Sequence, residues 1–430
     1  MKRQVEEFLN RHNLNADEIS MDELCDLFLK EMKAGLAGKP SSLAMIPSFC
    51  SPDAVPKEGE QVIVIDAGGT NFRTCLVTFD HDLNPIISDF RKSRMPGIDR
   101  EVSAKEFFSI IADETERLID KSDRIGFCFS YAATILPDHD GIPECFSKEI
   151  KASEVLGKHL GKELFKELAS RGHDVSNKKI LILNDTVATL LAAQAKNTKG
   201  SYDGCIGFIL GTGTNTAYIE KMENITKLDP SIPRVGSQII NIESGCLKLC
   251  LGDIDRRFLN TTKDPELYGF EKMISGVYLG PLAYLIISQA VEEGLFSDTF
   301  KEGFSKLKGL TTIEMNAFFH EEEGNVLSSV ATDETDEDTL FEILGSFISR
   351  AAKLTAANLA SAVLITDYGK DEDHPVLINA DGSTFHLTAL LKSYTTEYLD
   401  AFLAEKGRRA VITQIENSPT IGSAIGALTL

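Results

Sequence analysis

Asp185 follows Asn184 at the end of the apolar run "KKILILND" and opens the helical pattern "TVATLLAAQ". A carboxylate at that junction suits a general base, because open α/β sheets gather ligands where their parallel strands end. Taken alone it equally suits a helix N-cap, its oxygen accepting an N–H such as that of Ala188. Two further stretches carry candidate chemistry, Asp66-Ala67-Gly68-Gly69-Thr70-Asn71 and Gly211-Thr212-Gly213-Thr214-Asn215. Each lies between strand-like apolar runs, which predicts a hairpin tip. Gly and Asn supply the positive φ that tight turns need. Successive N–H groups of such a tip also form an anion-binding concavity, which phosphate reaches because no Cβ stands in the way. Gly69-Thr70-Asn71 aligns with Gly213-Thr214-Asn215, which predicts a duplicated unit. Two tips facing across a cleft could grip a polyphosphate with few charged side chains. One carboxylate would then align an attacking hydroxyl and accept its proton. Asp185 is the candidate for that base, and Asp66 the candidate to hold a phosphate-bound Mg²⁺ through water. Arg73 either supplies scarce positive charge beside the tip or is a plain surface strand residue.

Strands alternating with helical patterns must position these residues. Runs at 61–80, 124–130, 178–185 and 204–221 read as strands, with a helical stretch around 104–120. This is the pattern of an α/β sheet. The first ~45 residues read as helical, and the Pro-, Ser- and Gly-rich stretch at 38–60 as a connector. A long helix is expected over 332–365, started by an acidic run, and a small-residue helix at "PTIGSAIGAL" near the end. The run "PVLINADGSTFHL" reads as a late strand closing on Asp381-Gly382-Ser383.

The 430 residues suffice for two or more cores. A formal net charge of -21 argues against nucleic acid or an anionic membrane as partner, since both require basic faces. The N-terminal "MKRQVEEFLNRHNL" lacks the apolar core of a signal peptide, and no apolar segment is long enough to span a bilayer. Eight scattered cysteines without a Cys-x-x-Cys pair read as reduced thiols, hence a cytoplasmic protein. No Walker pattern occurs.

In order and number, these segments resemble those of the hexokinase family within the actin-like sugar-kinase superfamily. "SSLAMIPSF" resembles the family connector, "DAGGTNFR" its first phosphate motif, and "LNDTVATL" its catalytic-base segment. "ILGTGTNTAYIE" is similar to its second phosphate motif, "INIESG" and "FEKMISGVYLG" to its two sugar-binding glutamate segments, and "NADGSTF" to its adenosine segment.

The resemblance implies a two-domain α/β fold of the actin-like ATPase (ribonuclease H-like) kind, with duplicated phosphate hairpins flanking an interdomain cleft. The small domain would comprise 60–187 plus 416–430, the large one 1–59 plus 188–415. Sugar hydroxyls would be held by Ser130, Ser147, Lys148, Asn184, Asp185, Asn215, Glu243 and Glu271. Asp66, Gly68, Gly69, Thr70, Asn71 and Arg73 would face ATP phosphates at the first tip, as would Gly211, Thr212, Gly213 and Thr214 at the second. Gly382 and Ser383 would flank adenosine. The expected reaction is ATP- and Mg²⁺-dependent phosphorylation of a hexose, glucose foremost, at its C6 hydroxyl, as the first step of glycolysis, by a monomer or homodimer. Singly, Glu243 also reads as a surface carboxylate, Lys148 as a solvated lysine and Glu271 as a capping-box residue. The chain departs from the family at Ala132, where Pro is usual, at Phe146-Ser147, where Trp-Thr is usual, and at His386, where Lys is common. Those departures leave two alternatives open: a sugar sensor without catalysis, or a kinase for mannose, fructose or an amino sugar.

Overall fold

The computed structural model describes residues 2–146, 150–197 and 200–430. Five strands form a first sheet in the order Pro85–Arg94, Asn71–Phe79, Gln61–Gly68, Arg124–Phe129, Lys179–Leu183. The first three run antiparallel and the last two join in parallel. The second sheet repeats that order and those directions with Ser237–Asn241, Thr214–Lys221, Gly204–Leu210, Val376–Asp381 and Ala410–Thr413. Its one addition is the short edge strand Ile46–Pro47, contributed by the connector. The duplication expected from the paired tips is therefore a duplication of topology.

Val62 to Ala67 is buried throughout, as a strand covered on both faces must be, and this explains the unbroken apolar run Val62 to Ile65 that leads into Asp66. One face of each sheet turns toward a shared layer made of the helices Asp185–Lys196 and Ser418–Ala427. A single apolar cluster there joins Val62 and Val64 of the first sheet, Ile239 and Leu377 of the second, and Val187, Leu190, Ala424 and Ile425 of the helices. Cys75 and Val77 lie in that cluster, as does Ala217. By the two-residue period of a strand, Asn71 and Asn215 share the face of those residues. Both asparagines thus look inward between the sheets.

The helix Glu334–Thr366 is the axis of the larger core, buried continuously from Arg350 to Val363. Asp333 caps it, accepting the N–H groups of Thr335 and Asp336 at 3.0 Å, and three carboxylates occupy its first turn. The acidic run is a helix start, as the sequence indicates. Among the described residues no helix is long and apolar enough to cross a membrane.

Candidate active site

The strand Lys179–Leu183 ends at Asn184, whose side chain accepts the Thr186 N–H at 2.8 Å. Asn184 is thus the N-cap, and Asp185 stands one residue inside the helix, in the first turn. The capping duty that a lone carboxylate would take falls to its neighbour. Asp185 Oδ1 shares the same N–H at 2.9 Å, and the Ser130 hydroxyl, just past the strand Arg124–Phe129, lies near enough to favour the ionised carboxylate. Burial pushes Asp185 up to about 6, with the charges of Asp66 and Glu243 adding to the rise and Ser130 and Thr186 opposing it. A carboxylate tuned toward neutrality is suited to take a proton from an alcohol.

Asn215 reaches three groups with one amide nitrogen: Asn241 Oδ1 at 2.6 Å, Asn184 Oδ1 at 3.4 Å and Glu243 Oε1 at 3.4 Å. Asn241 in turn donates to Glu243 Oε1 at 2.7 Å. Glu243 itself holds a φ of 58°, in the left-handed region that few side-chain-bearing residues adopt. Such strain persists where the surroundings fix a side chain for use. Glu271 Oε2 accepts the Thr214 N–H at 3.0 Å, so it serves the second tip rather than capping its own helix, Gly269–Ile274. Burial raises both glutamates, opposed by Asn241 for Glu243 and by the Thr214 N–H for Glu271. A small cavity of about 10 Å³, room for about one water, lies between Phe129, Tyr131, Asn184, Asn241 and Glu243.

Across the cleft, Asp66 and Arg73 are direct cross-strand partners, and Arg73 Nη1 lies 2.6 Å from Asp66 Oδ2. Burial raises the Asp66 carboxyl and Arg73 pulls it back. Arg73 is therefore an ion-pair partner at the tip, not a plain surface residue. The turn residues Gly69 and Thr70 are exposed, with Gly69 at φ 57°.

Two hexokinase family models match the sequence, one over residues 4–195 and the other over 205–429. This chain belongs to the hexokinase family. Hexokinase-9 of Oryza sativa subsp. japonica is 27% identical over 441 residues, covering 95% of this chain and 85% of the relative. Hexokinase-3 of Homo sapiens is 27% identical over 454 residues, all of this chain but only 47% of that longer protein. A solved hexokinase from Schistosoma mansoni complexed with glucose has the same fold, with a TM-score of 0.77 at 23% identity, covering 100% of this chain and 99% of that one. Membership carries the general reaction, phosphorylation of a hexose by ATP, and bears out the resemblance and the two-domain α/β fold read from the seven motifs.

Seen as a hexokinase, the structure gathers Ser130, Asn184, Asp185, Asn215, Glu243 and Glu271 around one cleft. Ser147 and Lys148 lie outside the described residues. The second tip meets the adenosine segment: the Gly211 carbonyl accepts from Gly276 N and from Thr384 Oγ1, both at 2.8 Å. Gly382 has a φ of 109°, and a Cβ there would stand 2.3 Å from the Leu210 carbonyl, so glycine is required. Ser383 is exposed beside it, while His386 turns back to the Ala380 carbonyl at 2.9 Å. The second tip loop, 211–213, is one residue longer than the 69–70 turn. Phe146 fills its departed position by packing edge-on against Tyr131, with centroids 5.2 Å apart.

Asn241 is the site residue that sequence reasoning passed over. Its signal was present, since in "INIESG" it lies two residues before Glu243 and a buried amide in an apolar strand must find partners.

Proposed function

We propose that this hexokinase transfers the γ-phosphoryl group of ATP to the C6 hydroxyl of a hexose, with glucose as its first substrate and Asp185 as the base. The observation that carries this reading is Asp185 itself, relieved of capping by Asn184 and raised to about 6 by burial. Glu243, Glu271, Asn184 and Asn215 would satisfy the remaining hydroxyls, and an analogue lacking one would leave a buried polar group unpaired. The Schistosoma mansoni relative is complexed with glucose, which supports that sugar as the first to try.

The residues present fit Mg²⁺. Asp66 offers a carboxylate oxygen of the kind Mg²⁺ takes, and Arg73 bonds its other oxygen, Oδ2, at 2.6 Å. Asp66 would hold the ion through water, and the ion, when bound, neutralises phosphate charge. Residues 60–187 with 416–430 and residues 1–59 with 188–415 form the two domains of this proposal, closing on the sugar so that water is kept from the γ-phosphate. The eight free cysteines suit a reducing, cytoplasmic setting.

The test is ADP release from Mg²⁺-ATP with glucose, mannose, fructose, glucosamine or no sugar. Turnover that requires a sugar and is fastest with glucose is expected. Silence throughout, with glucose still raising Tm, would mean a sugar-binding protein without chemistry.

A further inference from the structure

Ser130 and Tyr131 are adjacent, yet they grip different halves of the site. The Ser130 hydroxyl favours the ionised Asp185 carboxylate, and its N–H is donated to the Ala67 carbonyl at 3.0 Å. Gly68 packs so close that a Cβ on it would stand 2.7 Å from Ser130 Oγ. Tyr131 donates its hydroxyl to the Gly69 carbonyl at 2.6 Å, at the first phosphate tip. Its ring is held edge-on by Phe129 at 5.1 Å and by Phe146 at 5.2 Å, the residue that precedes Ser147 and Lys148. Tyr131 also lines the cavity beside Asn184 and Glu243. One aromatic side chain therefore touches the sugar-side cavity at its ring and the phosphate tip at its hydroxyl.

The geometry of a peptide gives this contact a consequence. The peptides of the described residues are trans, so the Gly69 carbonyl and the Thr70 N–H lie in one plane and point in opposite directions. A hydroxyl that fixes the carbonyl fixes the N–H as well. Glycine has no side chain to hold that plane and a Cβ on Gly69 would meet nothing within 4 Å, while the Met95 N–H on the Thr70 carbonyl at 3.0 Å ties the next peptide rather than this one.

We propose that Tyr131 is a positioning residue that sets the Thr70 N–H toward the triphosphate and transmits sugar occupancy of the cleft to the phosphate tip. This rests on the hexokinase reading of the site. Sugar pressing on the segment around Tyr131 and Phe146 steadies the Tyr131 ring, the ring steadies the Gly69–Thr70 peptide, and the nucleotide meets a donor already aimed. The affinities for sugar and nucleotide are then coupled, and by linkage the coupling is the same in either order of binding.

Tyr131→Phe removes the hydroxyl and keeps the ring, and Tyr131→Leu removes both. Affinity for the non-hydrolysable analogue adenylyl imidodiphosphate with Mg²⁺ is measured by calorimetry with and without glucose, beside glucose affinity, Tm and steady-state KM for ATP. In Tyr131→Phe, glucose affinity stays within about twofold and Tm falls by no more than a few degrees, as the loss of one hydrogen bond would give, while KM for ATP rises about three- to tenfold. The factor by which glucose tightens the analogue falls toward one in the same variant. Tyr131→Leu loses glucose affinity too. A Tyr131→Phe enzyme that keeps both the wild-type coupling factor and KM for ATP overturns the proposal. Wild-type protein that releases no ADP with any sugar overturns the reading beneath it, and is seen before any variant is compared.

Discussion

Glu271 Oε2 accepts the Thr214 N–H at 3.0 Å, so a sugar-side glutamate is tied to the backbone of the second phosphate tip. Gly213 makes the tie possible, because a Cβ there would stand 2.6 Å from the same oxygen. Its φ is not in the left-handed region, so alanine would meet no backbone strain, only that contact. Gly213→Ala is therefore expected to swing Glu271 off Thr214. A charge-assisted hydrogen bond is lost, and KM for the sugar should rise on the order of tenfold or more. Steady-state kinetics would show it, and an unchanged sugar KM would remove the link.

Asp185 should trade stability for activity. Folding lifts its carboxyl from the ordinary 3.8 to about 6, chiefly by burial. A carboxyl raised on folding contributes stability that is full below its unfolded value and lost as pH rises through its folded value. At neutral pH the ionised group thus destabilises the fold, by roughly 1–3 kcal/mol. Asp185→Asn is expected to abolish turnover, keep most of the sugar affinity and raise Tm. Near-normal kcat in that variant would take the base role from Asp185, and a lowered Tm would contradict the burial argument.

The same value sets an acid limb. A base must be ionised to accept a proton, so kcat/KM should fall as pH drops through about 6, the value to which burial raises Asp185. Glu243 and Glu271 are also raised by burial, so sugar affinity weakens in the same direction and the limb steepens below its midpoint. A profile flat down to pH 5 would exclude Asp185 as the group whose ionisation limits the rate.

Much of this arrangement was legible in the chain because it is local. The tips announce themselves through Gly, Thr and Asn between apolar runs, and Asp185 through its strand-to-helix junction. Hydrogen bonds that depend on tertiary register were not legible. That Asn184 caps in place of Asp185 depends on rotamers, and that Asn241 reaches Asn215 depends on the pairing of the strands Thr214–Lys221 and Ser237–Asn241. The Asp66–Arg73 pair follows once the hairpin register is known, since a two-residue turn sets the two side chains opposite each other. The left-handed backbone at Glu243 has no sequence mark, because strain of this kind is imposed by the surroundings.

The helix that carries Asp185 is seated by glycines, and one of them offers the sharpest test of how fold and chemistry connect. A Cβ on Gly422 would stand 1.7 Å from the Ala188 carbonyl oxygen, and one on Gly207 would stand 2.3 Å from that of Thr186. Both obstacles are backbone of the Asp185–Lys196 helix, which cannot rotate aside as a side chain would. Gly422→Ala must displace the helix Ser418–Ala427 or the helix that begins at Asp185, an overpacking that costs ~2 kcal/mol or more. Because Asp185 rides on the second helix and the tips do not, kcat should fall more than KM for ATP rises. Gly345, within the helix Glu334–Thr366, supplies the opposite sign: a Cβ there meets nothing within 4 Å. Gly345→Ala should therefore stabilise by about 0.5–1 kcal/mol through helix propensity alone, with kinetics unchanged. Thermal unfolding and steady-state kinetics on the two variants separate a general loss of stability from a shift of the base. If Gly422→Ala lowered Tm yet kept kcat, the seating of that helix would matter to the fold and not to the position of Asp185.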